Sequence, residues 1–131
     1  KGSYYSILSP PWGTPTPLMK WRNQVSYEAL CDLAEGSSPE GFSTWRVIET
    51  PGHTPDSICL YHEKERILLT GDTVLNLRGR GELNYFCSHP GMIRDSYERL
   101  LALDVETIYP GHGTPIIQRP GILNKISLRG L

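Results

Sequence analysis

Three residues in this chain have the types and settings that metal chemistry needs: His53 in ETPGHTPD, Asp72 in LLTGDTV and His112 in YPGHGTP. Glycine adjoins each of them, and proline lies two residues from each histidine. Each therefore sits in a stiff loop that can turn sharply and bring the backbone close to a bound group. Two neutral imidazoles and one carboxylate suit a divalent transition metal such as zinc, iron or manganese. An ion held this way lowers the pKa of its bound water to about 7, which makes hydroxide available near neutral pH. Taken singly, none of the three carries that reading. A lone loop histidine is more often a surface residue, and a Gly-Asp pair after a strand is usually a turn.

What distinguishes them is the element before each. Ser43–Glu49 reads as a strand, with Trp45, Val47 and Glu49 alternating against Arg46 and Ile48, and it leads into the His53 loop. Ser57–His62 and Ile67–Thr70 flank the polar turn Glu63–Arg66 and read as a hairpin that ends at Gly71-Asp72. Pro90–Leu103 carries Ile93, Tyr97, Leu100 and Leu101 at helical spacing, with Asp95 and Arg99 placed to pair on the outer face. Val105–Tyr109 is a fourth strand and runs straight into Pro110-Gly111-His112-Gly113. All three polar groups are thus expected just past the carboxyl end of a strand. Elsewhere the pattern predicts a short strand at Tyr4–Leu8, a short helix over Val25–Ala34 and another around Ile122–Ser127. The implied organisation is a proline-rich arm and helix over 1–32, a half-domain over 33–115 and a tail over 116–131.

Composition narrows the functional classes. A chain of 131 residues with 38% apolar residues, 21% charged residues and a net charge of −1 is one domain's worth. It carries neither the signature of disorder nor a basic nucleic-acid footprint. Eleven prolines and 13 glycines imply many tight loops. The three cysteines, Cys31, Cys59 and Cys87, are odd in number and form no CxxC, which argues against a disulfide framework or a zinc knuckle. They are expected to be small apolar groups in a reducing, cytoplasmic setting. No apolar run approaches the roughly 20 residues of a membrane span, so neither a membrane nor a nucleic acid is an expected partner.

ETPGHTPDSICLYHEKERILLTGDTV resembles the second half of the metallo-β-lactamase superfamily. TPGHTPDS is similar to that family's loop with a metal-binding histidine, and LLTGDTV to its strand ending in the metal-bridging aspartate. SYERLLALDVETIYPGHG is similar to its helix, strand and last histidine loop. The resemblance covers residues 33–115. It implies an α/β fold, the C-terminal half of a four-layer αββα sandwich, with a mixed or antiparallel sheet and flanking helices. It also implies His53 on one ion, Asp72 bridging two and His112 on the second, with zinc as the ion and iron or manganese as alternatives. A single ion shared by all three residues is the other arrangement their chemistry allows. The reaction implied is attack by metal-bound hydroxide on the ester or thioester carbonyl of a small-molecule substrate, with Asp72 catalytic.

The chain also departs from the family pattern. The HxHxDH motif that supplies the family's remaining ligands is absent from these 131 residues. Of the other histidines, His62 lies within a strand, and His89, in CSHPG before the helix, is a candidate for approaching the site. Arg78 and Arg80, set among glycines after Asp72, are candidates for a substrate carboxylate or phosphate, their plainer role being that of a solvated loop. Trp12, Tyr85 and Phe86 can form an apolar wall or pack in the core. Half of a sandwich leaves an apolar sheet face bare, which at about 25 cal/mol per Å2 forfeits many kcal/mol. An absent N-terminal half or a second chain is expected to cover it. The chain is therefore expected to be part of a metal-dependent hydrolase, incomplete alone. The competing expectation is a non-catalytic half-fold module that pairs with another chain or copy.

Overall fold

The computed structural model describes residues 32–117 and 119–128. Tyr4–Leu8, Trp12, Cys31 and most of Val25–Ala34 lie outside them; the last three residues of that expected helix, 32–34, are not helical.

Four runs of apolar and β-branched residues form one sheet: β1 (Trp45–Glu49), β2 (Ile58–His62), β3 (Ile67–Gly71) and β6 (Thr107–Pro110). Their order is β1-β2-β3-β6. β1 and β2 are antiparallel, with Val47 opposite Leu60, and β2 and β3 are antiparallel, with Tyr61 opposite Leu68. β3 and β6 are parallel, with Leu68 opposite Ile108. Two successive reversals make β1 run with β3, and β6 runs with β3 as well. The carboxyl ends of β1, β3 and β6 therefore share one rim of the sheet. A parallel pair needs a long crossover, and here it contains the short hairpin of β4 (Val74–Leu75) and β5 (Glu82–Leu83), then the helix α1 (Pro90–Leu100).

One face of the sheet carries Ile48, Cys59, Tyr61, Leu68 and Ile108. These join Ile93, Tyr97 and Leu100 of α1, Val74 and Leu83 of the small hairpin, and Ile116, Ile122, Leu123 and Ile126 in one buried cluster. Residues 116–128 thus contribute to the core of the compact unit that runs from Asp32 onward. The opposite face is apolar too: it presents Val47, Leu60, Ile67, Leu69 and Tyr109. Val47 is buried, but Leu60, Ile67 and Leu69 are half-buried and Tyr109 is 41% exposed. A sheet apolar on both faces is built to be covered on both.

Ile48 does alternate with Val47 as expected, and both are buried, one on each side of the sheet. Two expectations are corrected. The helix ends at Leu100 and not at Leu103, since Ala102 and Leu103 donate to the carbonyls of Arg99 and Leu100, three residues back, and close the last turn tightly. Leu101 is left 38% exposed. Asp95 and Arg99 form no ion pair among the described residues; Arg99 donates instead to the Glu49 carbonyl at the end of β1. The short helix expected near the C-terminus is present as a 3-10 turn over Ile122–Lys125.

The loop after β1 is pressed against the start of α1. A Cβ on Gly52 would lie 2.3 Å from the Cβ of Ile93, and Gly52 has φ +151°, so no other residue fits. The Gly52 carbonyl accepts from the His89 N–H at 3.0 Å, and the Pro51 carbonyl accepts from the Ser96 hydroxyl at 2.8 Å. Below the rim, Thr50 bonds Thr73 at 3.1 Å and contacts the Cys59 sulfur at 3.4 Å. These buried groups tie the ends of β1 and β3 to the middle of the sheet.

Burial pushes the Cys59 thiol up from 9.0 to about 11, against the opposing hydrogen bonds of Thr50 and Thr73. Between those two values the folded chain keeps a proton that the unfolded chain releases. This contribution to stability is complete below the unfolded pKa and is lost as pH rises through the folded one, at up to about 1.4 kcal/mol per pH unit. Denaturant unfolding between pH 9 and 10 is expected to show a falling stability that flattens in Cys59→Ala. An unchanged slope in the variant would place the effect elsewhere.

Candidate metal centre

The shared rim brings the three polar residues together. His53 follows β1 by one tight loop, Asp72 follows β3 directly, and His112 stands just past β6. The Asp72 carboxylate lies between the imidazoles: Oδ2 is 3.6 Å from Nε2 of His53, and Oδ1 is 3.4 Å from Nε2 of His112. Two donors bound at about 2.0–2.2 Å to one tetrahedral ion lie roughly 3.4 Å apart. Each gap between a histidine and its carboxylate oxygen is therefore the span of two donors on one ion. The two oxygens are different, so the carboxylate offers one oxygen to each imidazole. Among the described residues, no group of three or more His, Cys, Asp or Glu side chains is arranged to hold a metal ion by itself.

The close approach depends on a missing side chain. A Cβ on Gly111 would lie 2.5 Å from Oδ1 of Asp72 and 2.9 Å from the Gly71 carbonyl. With glycine there, the Gly111 N–H donates to the Gly71 oxygen at 2.7 Å and locks the His112 loop against the end of β3.

Two buried asparagines brace the histidine loops. The Asn76 N–H donates to the His112 carbonyl at 3.0 Å, and its Nδ2 donates to the Thr114 carbonyl at 2.7 Å. Asn84 lies on the other side. Its Nδ2 donates to the Asp72 carbonyl at 2.8 Å and lies 3.0 Å from Nδ1 of His53, and its Oδ1 accepts from the Phe86 N–H at 2.9 Å. Sequence reasoning missed both. Asparagines in a glycine-bearing loop are ordinary turn residues. Only their burial, at 4% and 3% exposure, sets these two apart.

The remaining sequence candidates are spread more widely. The backbone before α1 is bonded to the His53 loop through Ser88 and His89, but no ion pair joins the His89 imidazole to Asp72 among the described residues. Arg78 is exposed in the loop after β4. Arg80 lines a cavity of about 300 Å3 with Arg119, Lys125 and an isoleucine floor, and none of His53, Asp72 and His112 lines it. His62 packs edge-on against Trp45 within the sheet. Tyr85 and Phe86 stack on each other and are 40% and 68% exposed, so they form a surface patch and are not core. The Phe86 carbonyl, 2.9 Å from Nδ1 of His53, fixes this patch beside the site.

A family model described as the metallo-beta-lactamase superfamily matches residues 11–112. The chain belongs to the metallo-beta-lactamase superfamily. The match begins well before residue 33, where the resemblance in sequence motifs starts. A probable metallo-hydrolase of Bacillus subtilis, YqjP, is 33% identical over 93% of this chain and 43% of its own length. The hydroxyacylglutathione hydrolase of Francisella tularensis subsp. novicida is 37% identical over 55% of this chain and 29% of its own length. Among solved structures, a superfamily protein of Thermus thermophilus, TTHA1429, superposes over 71% of this chain and 31% of its own, with a TM-score of 0.54 and 28% identity. TTHA1623 in a di-iron-bound form gives a TM-score of 0.54 and 27% identity over 68% of this chain and 43% of its own. This chain spans less than half the length of the curated relatives it matches. Among its described residues, no helix is long and apolar enough to cross a membrane.

The superfamily's histidine and aspartate loops make a sharp mechanical prediction in this chain. Gly111→Ala is expected to cost about 1–3 kcal/mol in denaturant unfolding through overpacking against Asp72 and Gly71. Gly91→Ala, at an open position in the first turn of α1, is expected to be neutral or slightly stabilising. Equal effects would mean that the His112 loop is not clamped.

Proposed function

We propose that this chain is the C-terminal, metal-binding part of a zinc-type hydrolase that cleaves an ester- or thioester-type small molecule. The observation that carries this reading is the Asp72 carboxylate set edge-on between two imidazoles, one oxygen to each. The names of two relatives support it: a probable metallo-hydrolase, and a hydrolase of hydroxyacylglutathione, an acyl thioester. The di-iron-bound neighbour supports a two-ion site, and iron or manganese can take the place of zinc.

Bound divalent ions supply an activated water near neutral pH and polarise the substrate carbonyl. The chain's residues supply the rest. His53 and His112 would supply imidazole nitrogens to the ions, and Asp72 would bring negative charge to offset them. The exposed Tyr85–Phe86 pair beside His53 offers an apolar wall to the acyl group and shields that side from water. This chain would offer each ion two protein donors, fewer than the three or four that zinc sites use. Further ligands must come from chain outside the described residues or from a second chain. The same element would cover the half-buried face formed by Leu60, Ile67, Leu69 and Tyr109. That apolar face also favours a second reading, a non-catalytic half-fold that pairs through its sheet.

The test is hydrolysis of a simple thioester by the protein loaded with zinc, both as this chain and extended toward the full length of its relatives. Activity is expected to require the ion, to be far higher in the longer protein, and to fall at least about 100-fold in Asp72→Ala, a size typical of lost electrostatic stabilisation. Activity that survives both chelation and Asp72→Ala would overturn the enzymatic reading. Zinc binding without activity in the longer protein, together with self-association of this chain in light scattering, would favour the pairing module.

A further inference from the structure

The cavity beside Arg80 is lined by none of His53, Asp72 and His112. At about 300 Å3 it stands at the lower end of the range for small-molecule sites. Arg80, Arg119 and Lys125 line it, against one carboxylate, that of Glu82. Ile116, Ile122 and Ile126 form its floor and belong to the buried core cluster.

The three cations come from separate stretches of chain, and backbone bonds hold those stretches together. Arg80 lies shortly before β5, Arg119 lies beyond β6, and Lys125 ends the 3-10 turn. The Ser127 N–H donates to the Gly81 carbonyl at 2.8 Å, and the Leu83 N–H donates to the Ser127 carbonyl at 2.9 Å. The Arg119 N–H donates to the Glu106 carbonyl at 2.9 Å. Gly81 is pressed onto the floor: a Cβ there would lie 2.2 Å from Cδ1 of Ile126 and 2.9 Å from Cδ1 of Ile116. The cavity walls are therefore fixed by the fold.

Charge in the cavity is unbalanced. Among the described residues, Arg66 pairs with Asp104 and Glu106, but Arg80, Arg119 and Lys125 form no ion pair and no side-chain hydrogen bond. Glu82 forms no ion pair either, so it does not neutralise them. Exposed cations are ordinarily just solvated. These three differ in sharing one concave surface over an apolar floor, where like charges raise the potential and an anion relieves it. Two guanidiniums offer forked pairs of N–H donors that match the oxygens of a carboxylate or phosphate. The isoleucines are at most 7% exposed, so they can receive only a short apolar body.

We infer that this cavity binds a small organic anion, a carboxylate or phosphate group on a short apolar body, held by Arg80, Arg119 and Lys125 over the isoleucine floor. Such binding needs no metal ion, so its failure and the failure of the hydrolase reading are separate results.

Amide NMR titration of the uniformly 15N-labelled chain tests it, with EDTA present to keep divalent ions away. The probes are hexanoate, monobutyl phosphate, hexan-1-ol and inorganic phosphate. Hexanoate or monobutyl phosphate is expected to shift the amides of Gly81, Ile126 and Ser127 saturably, and the tighter of the two identifies the head group. Hexan-1-ol lacks the charge and inorganic phosphate lacks the apolar body, and both are expected to bind at least about 10-fold more weakly. Arg119→Gln and Lys125→Gln are each expected to weaken the organic anion by about 10-fold or more. Arg94→Gln, at an exposed position on α1 outside the cavity, removes the same charge and is expected to leave binding unchanged. Organic anions that give no saturable shift at the cavity, equal binding of hexan-1-ol or inorganic phosphate, or an equal loss in Arg94→Gln would overturn the inference. The titrations of the wild-type chain decide it even where a variant fails to fold.

Discussion

A carboxylate held between two imidazoles puts strict demands on the chain around it. The three side chains come from positions 53, 72 and 112. They meet because β1, β3 and β6 point the same way and end at one rim. That common direction follows from two antiparallel pairings and one parallel crossover. If the β3–β6 pairing were antiparallel, His112 would emerge at the opposite edge. The fold is, in this sense, a device for making distant loops converge.

Convergence of strands alone would not hold atoms within a few tenths of an ångström. The fine positioning comes from two sources of stiffness. One is close packing where a side chain would intrude, at Gly52 against Ile93 and at Gly111 against Asp72. The other is a set of buried polar bonds below and beside the rim: Thr50 with Thr73, Asn76 with the His112 loop, and Asn84 with Asp72 and the Phe86 backbone. Buried polar groups of this kind are costly if left unpaired, so they favour one loop geometry over its neighbours. They also separate the site from the core, where an apolar cluster provides bulk stability and keeps Cys59 protonated.

Much of this was legible in the sequence because it is written in local patterns. Alternation marked the strands, the Glu63–Arg66 turn marked the hairpin, and Gly and Pro marked the loops that carry His53, Asp72 and His112. What was not legible depends on tertiary context. Alternation in β1 separates Val47 from Ile48 but does not say that both are buried, which only the packing shows. Leu101 fits the helical stripe, yet the tightened last turn leaves it exposed. Arg99 sits at the right spacing for Asp95 and finds the Glu49 carbonyl instead, which lies far away in sequence. Asn76 and Asn84 look like loop residues, and their importance lies in burial, which no spacing reveals. Tyr85 and Phe86 look equally suited to core and wall, and their exposure decides for the surface.

The account's central claim is that Asp72 bridges, with one oxygen serving each histidine. Anomalous diffraction from crystals equilibrated with zinc tests it most directly. Two peaks are predicted, one between Nε2 of His53 and Oδ2 and the other between Nε2 of His112 and Oδ1. A single peak shared by all three side chains, or zinc bound away from Asp72, would contradict it.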